Sequence, residues 1–188
     1  CAGLGYIVSM TFLPAIVRNT PGMGSFAALS WVIVGLAAIP SSVFWSWLAQ
    51  RYGEVRALLL AYGLQAIGVM APIWWPNKLG AASGALLRGG TFLGIVTMAM
   101  MLARKHDPHG GSRTVGVMTS AYGLAQIIGP LITAALAARS DGMLLALQIA
   151  TLTLIAGAAC LIGSALTSRP ARSHAFNAFA KEKQPCRT

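Results

Sequence analysis

The sequence predicts an all-α integral membrane protein of six transmembrane helices, and three observations carry that prediction. Hydrophobic residues make up 56% of the 188-residue chain and charged residues only 10%, with a mean hydropathy of +0.67, outside the range of a soluble globular domain. The apolar residues fall into runs close to the roughly 20 residues that a helix needs to cross a hydrocarbon core. Short segments rich in basic residues, glycine and proline separate the runs, as turns between spans do.

A net charge of +10 would point to nucleic acid in a soluble protein. Here the basic residues lie between apolar spans and act as topology signals, so nucleic-acid binding is excluded. Cys1, Cys160 and Cys186 are scattered, without CxxC spacing or a partnering His, so neither a disulfide framework nor a structural zinc site is implied. No cofactor is expected. Residue 1 is Cys and the first apolar run is under way at Ala2, so the chain is expected to begin inside a longer gene product. No basic segment precedes that run as a cleavable signal would require.

The first span runs over Ala2 to Val17, short of a full crossing. Arg18 to Gly22 form a break. The second span, Ser25 to Ala49, holds Pro40, which removes a backbone hydrogen bond and is expected to bend the helix. A basic loop follows, Gln50 to Arg56. The third span, Ala57 to Trp75, ends in Trp74, Trp75 and Pro76, an interfacial aromatic belt and a stop. The fourth is Leu79 to Arg104. A polar loop, Arg104 to Arg113, leads to the fifth span, Thr114 to Ala138, with Gly129-Pro130 as a second expected bend. The sixth is Gly142 to Leu166. The expected domains are therefore a bundle over 1–166, its first helix truncated, and a basic tail over 167–188.

The fourth span carries one charge, Arg88. A helix beginning at Leu79 places it about 13 Å down, near mid-depth. A guanidinium there costs from about 3 kcal/mol to well above 10, so such a residue faces protein or a water-filled cavity. Gly80, Gly84, Arg88 and Thr91 share one helical face, and side chains lean towards the helix N-terminus, so Arg88 can lie along a glycine groove. No acidic residue lies within any span. A partner for Arg88 must come from elsewhere in a longer protein, from a substrate or from a backbone carbonyl.

With loops on alternate sides, one side receives ten basic residues and the other Arg18, Lys78 and Arg139; Arg88 completes the 14. The positive-inside rule then places both chain ends in the cytoplasm, which requires an even number of spans. Thr11-Phe12-Leu13 recurs as Thr91-Phe92-Leu93, and Pro40 has a counterpart in Pro130. That spacing is what a three-plus-three inverted repeat gives.

Several stretches resemble a known pattern. Ser46 to Arg56, with Arg51 and Gly53 in place, resembles the loop signature Gly-x-x-x-Asp-Arg-x-Gly-Arg of major facilitator superfamily transporters, with Ser46, Gln50 and Glu54 replacing Gly, Asp and Arg. The degenerate copy favours the C-terminal half of a twelve-helix transporter. Gly116, Ala125, Gly129 and Pro130 resemble an antiporter-associated motif usually found in the other half. Gly3-Leu4-Gly5-Tyr6, Thr11-Phe12-Leu13-Pro14, Gln65 to Val69, Gly89 to Gly94 and Tyr122 to Pro130 are similar to the YbfB/YjiJ branch of bacterial transporters.

The resemblance implies secondary active transport of a small solute across the bacterial inner membrane by alternating access. This chain would supply the C-terminal half and partner a missing N-terminal six-helix half, with a coupling proton and the lipid bilayer as further partners. It also implies Tyr6, Thr11, Arg88 and Thr91 as cavity-lining candidates, Gln126 as a further one, and Gln50, Arg51, Gly53 and Arg56 as a cytoplasmic gate weakened by the neutral Gln50. The sign of Arg88 favours an anionic solute; the alternative role for Arg88 is a residue sealed by neighbouring helices. Gln65 and Gln148 are expected to make interhelical hydrogen bonds, and the Gly80/Gly84 and Gly90/Gly94 pairs to pack helices closely. His106 and His109 lack a scaffold for a metal, and none is expected. The basic tail with Phe176 and Phe179 fits either a disordered end or an anionic lipid surface. A self-standing six-span membrane scaffold, or a non-functional fragment, is the alternative to transport. An enzyme is not expected, because no Ser/His pair, paired carboxylates or metal-ligand spacing lies within the spans.

Overall fold

A computed structural model describes residues 1–19, 26–106, 111–137 and 142–167. These form six helices: α1 (Ala2–Asn19), α2 (Phe26–Tyr52), α3 (Glu54–Trp74), α4 (Lys78–His106), α5 (Gly111–Ala137) and α6 (Gly142–Thr167). Five are long and apolar enough to cross a membrane, and the apolar stretch Ala2–Phe12 of α1 is shorter. The break at residues 20–25, His109, and the tail from residue 168 with Phe176 and Phe179 lie outside the described residues.

The basic loop expected over Gln50 to Arg56 is not a loop. Helix α2 continues to Tyr52 and α3 begins at Glu54, leaving Gly53 alone between them. Gly53 has φ 94°, in a region that L side chains rarely adopt, so glycine turns the chain in one residue. The flanking charges favour the longer helices: Arg51 sits in the last turn of α2 and Glu54 in the first turn of α3, each matching the helix dipole. The loop after α4 is shortened in the same way, with Arg104 and Lys105 in α4 and Arg113 in α5. At the start of α4, the Gly80 amide donates to Asn77 Oδ1 at 2.9 Å, an N-cap bond.

Helix α4 is the centre of one packing group, lying chiefly against α2 and α3. Helix α1 packs chiefly on α5 and α6, and α3 on α6. Lipid tails are as apolar as leucine, so such helices associate through close packing of small residues. Accordingly the buried positions are rich in alanine, including Ala49, Ala57, Ala61, Ala81, Ala85, Ala146 and Ala150, while Leu36, Ile39, Val43, Leu124, Ile127 and Leu131 are exposed.

Glycines set the tightest contacts. A Cβ at Gly89 would collide with the Val34 carbonyl oxygen, and one at Gly94 with the Trp45 indole. Between them, the Gly90 carbonyl accepts from Ser41 Oγ at 2.8 Å and Trp45 Nε1 at 2.6 Å. Of the expected glycine pairs, Gly84 and Gly94 make the close interhelical approaches. Gly80 instead abuts Trp75 just before its own helix, and a Cβ at Gly90 would meet open space.

Candidate functional site

The α3–α4 contact brings Gly68 and Gly84 together: a Cβ on Gly84 would sit 2.9 Å from the Gly68 carbonyl oxygen and 3.0 Å from Pro72 Cδ. Arg88 lies one turn beyond Gly84 and is fully buried. Its Nε donates to the Gly68 carbonyl at 3.1 Å, Nη2 to the Val69 carbonyl at 3.4 Å, and Nη1 to the Ser9 carbonyl of α1 at 3.2 Å.

Proline explains one of these acceptors. In an α-helix the Gly68 carbonyl would receive the N–H of residue 72, but Pro72 has none. The vacated acceptor is buried, and the Arg88 side chain satisfies it from the neighbouring helix. The carbonyl dipoles hold the guanidinium without neutralising it, so a formal positive charge stays inside the bundle.

Around it, the other polar groups are mostly satisfied within their own helices. Thr91 Oγ1 donates to the Leu87 carbonyl at 2.7 Å and Ser9 Oγ to the Tyr6 carbonyl at 2.8 Å. Gln65 is an exception: it is buried, and its Oε1 has no hydrogen-bond partner among the described residues. Tyr6, half-buried on α1, stacks on Phe92 of α4 with ring centroids 3.8 Å apart and 8° between planes. Thr11 is exposed, its hydroxyl turned onto the Ile7 carbonyl at 2.8 Å.

The remaining candidates sit as follows. Gln126 is half-buried on α5, next to the contact in which Gly3 of α1 meets Tyr122 and Ala125. Gln148 is exposed on α6, in an apolar groove with Ile67, Met70 and Trp74 of α3. Pro40 and Pro130 lie on exposed faces of continuous helices, whereas Gly129 is buried against Ile7 of α1. At the α2–α3 turn, Gln50, Arg51 and Arg56 are exposed. Arg51 Cζ lies 5.6 Å from the Trp47 ring and 5.8 Å from the Tyr52 ring. Glu54 pairs with Lys105 of α4, not with either arginine. Among the described residues no group of three His, Cys, Asp or Glu side chains assembles.

The structure thus brings Tyr6 and Arg88 to the seam between α1 and α4, sets Thr91 instead in a groove with Ser41 and Trp45 of α2, places Gln126 on the α5 side of α1, and leaves Thr11 outside the sealed cluster. The partners that sequence reasoning missed are Ser9, Gly68, Val69 and Phe92, together with the Glu54–Lys105 pair. For Gly68 a signal was present: a proline four residues later in an apolar span marks a carbonyl without its helical donor. Ser9 and Val69 act through backbone atoms, which leave no mark in side-chain identity.

Membrane-length helices packed through small residues around one sealed guanidinium define an integral membrane protein of multi-pass type. Residues 1–162 match the family described as uncharacterised MFS-type transporter YbfB. The chain belongs to that family of the major facilitator superfamily and is a membrane transport protein by family. No curated protein and no solved structure gives a significant match.

Proposed function

We propose that this chain is the C-terminal six-helix half of a secondary active transporter, not an enzyme, working by alternating access against a second, N-terminal half in a bacterial inner membrane. The family match over residues 1–162 carries this reading. Two features of the structure support the finer parts. The principal helix contacts keep their pattern when α1, α2, α3 are exchanged for α4, α5, α6: α2 on α4 corresponds to α5 on α1, and α3 on α4 to α6 on α1. An inverted three-plus-three repeat accounts for that exchange. The large exposed side chains of α2 and α5, among them Ile39, Val43, Ile127 and Leu131, leave faces for the second half or for lipid.

The substrate is a small anionic solute, with a proton as coupling ion. Tyr6, Thr11, Arg88, Thr91 and Gln126 line or back its path. Arg88 supplies the positive charge that carbonyls hold but do not cancel, and it meets the solute when α1 moves away from α4. Arg51, Gly53 and Arg56, with the neutral Gln50, form the cytoplasmic gate, and Pro40 with Gly129-Pro130 permit bending. Both chain ends are cytoplasmic, following the ten-to-three distribution of basic residues.

The test is uptake by the full-length protein in proteoliposomes, with a panel of inorganic and carboxylate anions under a proton gradient. Arg88→Ala is expected to abolish uptake of the accepted anion and Arg88→Lys to retain part of it. Unchanged uptake in both variants removes Arg88 from the path; no uptake by the unaltered protein of any solute tested, anionic or neutral, favours a scaffold instead.

A further inference from the structure

The α2–α3 turn lies where two spans leave the membrane, so it sits at the level of lipid headgroups. Beside it is a groove of about 320 Å³ lined by Leu48, Tyr52, Arg56, Ala57 and Leu60. Its floor is apolar, with Leu60 about 9 Å below the start of α3 at 1.5 Å per residue, and Arg56 supplies the charge of its lining. Tyr52 lines the groove and its ring centroid lies 5.8 Å from Arg51 Cζ, so Arg51 stands one side chain away from the lining that Arg56 shares.

Among the described residues nothing compensates these two charges. Gln50 is neutral, and Glu54, the acidic residue of the turn, is engaged by Lys105. No ion pair to Arg51 or Arg56 exists among the described residues. The Trp47 and Tyr52 rings orient Arg51 without cancelling its charge. An apolar trough at acyl-chain depth, with the Arg56 guanidinium in its lining and the ring-oriented Arg51 guanidinium beside Tyr52, is complementary to a ligand with a hydrocarbon tail and an anionic head.

We propose that this groove binds one anionic phospholipid. The phosphodiester sits between Arg51 and Arg56, where guanidinium geometry suits bidentate contact, and an acyl chain lies against Leu48, Ala57 and Leu60. The groove lies on the membrane surface of the bundle and shares Arg51 and Arg56 with the proposed cytoplasmic gate, but lipid retention is read without any transport.

Native mass spectrometry of the chain released from detergent micelles tests it, with phosphatidylglycerol and phosphatidylcholine of the same chain length added in turn. Phosphatidylglycerol is expected to be retained in preference. Arg51→Gln with Arg56→Gln should weaken retention about 25-fold, about fivefold for each basic residue at the surface. The control pair Arg104→Gln with Arg113→Gln, exposed at the same end, should change it by less than about threefold, since neither residue borders the groove. Leu60→Trp fills the trough and should also reduce retention, while leaving any binding of glycerol phosphate unchanged. Equal retention of the two lipids, equal losses in the two double variants, or full retention in Leu60→Trp would each overturn the proposal. So would loss of the lipid in the full-length protein, which would mean that protein covers the groove.

Discussion

Replacing Arg88 by methionine tests how the guanidinium and Pro72 depend on one another. Interhelical hydrogen bonds in membranes average about 0.6 kcal/mol, so the three bonds to Gly68, Val69 and Ser9 contribute about 2 kcal/mol. Removing a charge from mid-depth returns about 3 kcal/mol on the insertion scale. The single change therefore lies within about 1–2 kcal/mol of neutral, and its sign decides little. The coupling with Pro72→Ala is decisive. With proline in place, loss of Arg88 strands the buried Gly68 carbonyl; the Pro72→Ala change restores a backbone N–H to it. Arg88→Met should therefore be more destabilising in the unaltered chain than in the Pro72→Ala background, by about 1 kcal/mol, the net value of one hydrogen bond. Unfolding titrations in mixed micelles followed by tryptophan fluorescence give the four free energies of the cycle. Additivity within about 0.3 kcal/mol would refute the claim that Arg88 replaces the donor missing from Pro72.

Two further expectations concern glycines. Gly89→Ala should destabilise the bundle by about 1–3 kcal/mol in the same titration, because its methyl group meets the Val34 carbonyl. Gly90→Ala, next to it but facing open space, should be neutral or slightly stabilising. Gly53→Ala forces an L residue to φ 94° and should lower stability by about 1–3 kcal/mol; an unchanged midpoint would mean that the α2–α3 turn adopts another conformation.

Helix positions are legible because apolar length is a strong signal in a membrane chain. The six spans start and end within a few residues of the helices, and α4 carries Arg88 on its glycine face as the sequence predicts. Charge is the misleading signal. Gln50 to Arg56 look like a polar connection, yet one glycine makes the turn and the charges cap two helices. Spacing alone does not separate Gly90 from Gly94, since which glycine meets a neighbour depends on how α2 lies across α4. The partners of Arg88 are hidden because they are carbonyls, and only Pro72 betrays one of them. The Tyr6–Phe92 stack joins residues 86 positions apart, a pairing that periodicity within either helix does not encode.

The central claim is that the seam of α1 and α4 opens to each side of the membrane in turn. Thr11, exposed beside the sealed cluster, reports on it most directly. In full-length protein with Cys1, Cys160 and Cys186 replaced by serine, a cysteine at position 11 is treated with a membrane-impermeant thiol reagent, applied to right-side-out and to inside-out vesicles. Alternating access predicts labelling from both faces. Labelling from one face only, or from neither, would contradict the transporter account and leave a static bundle.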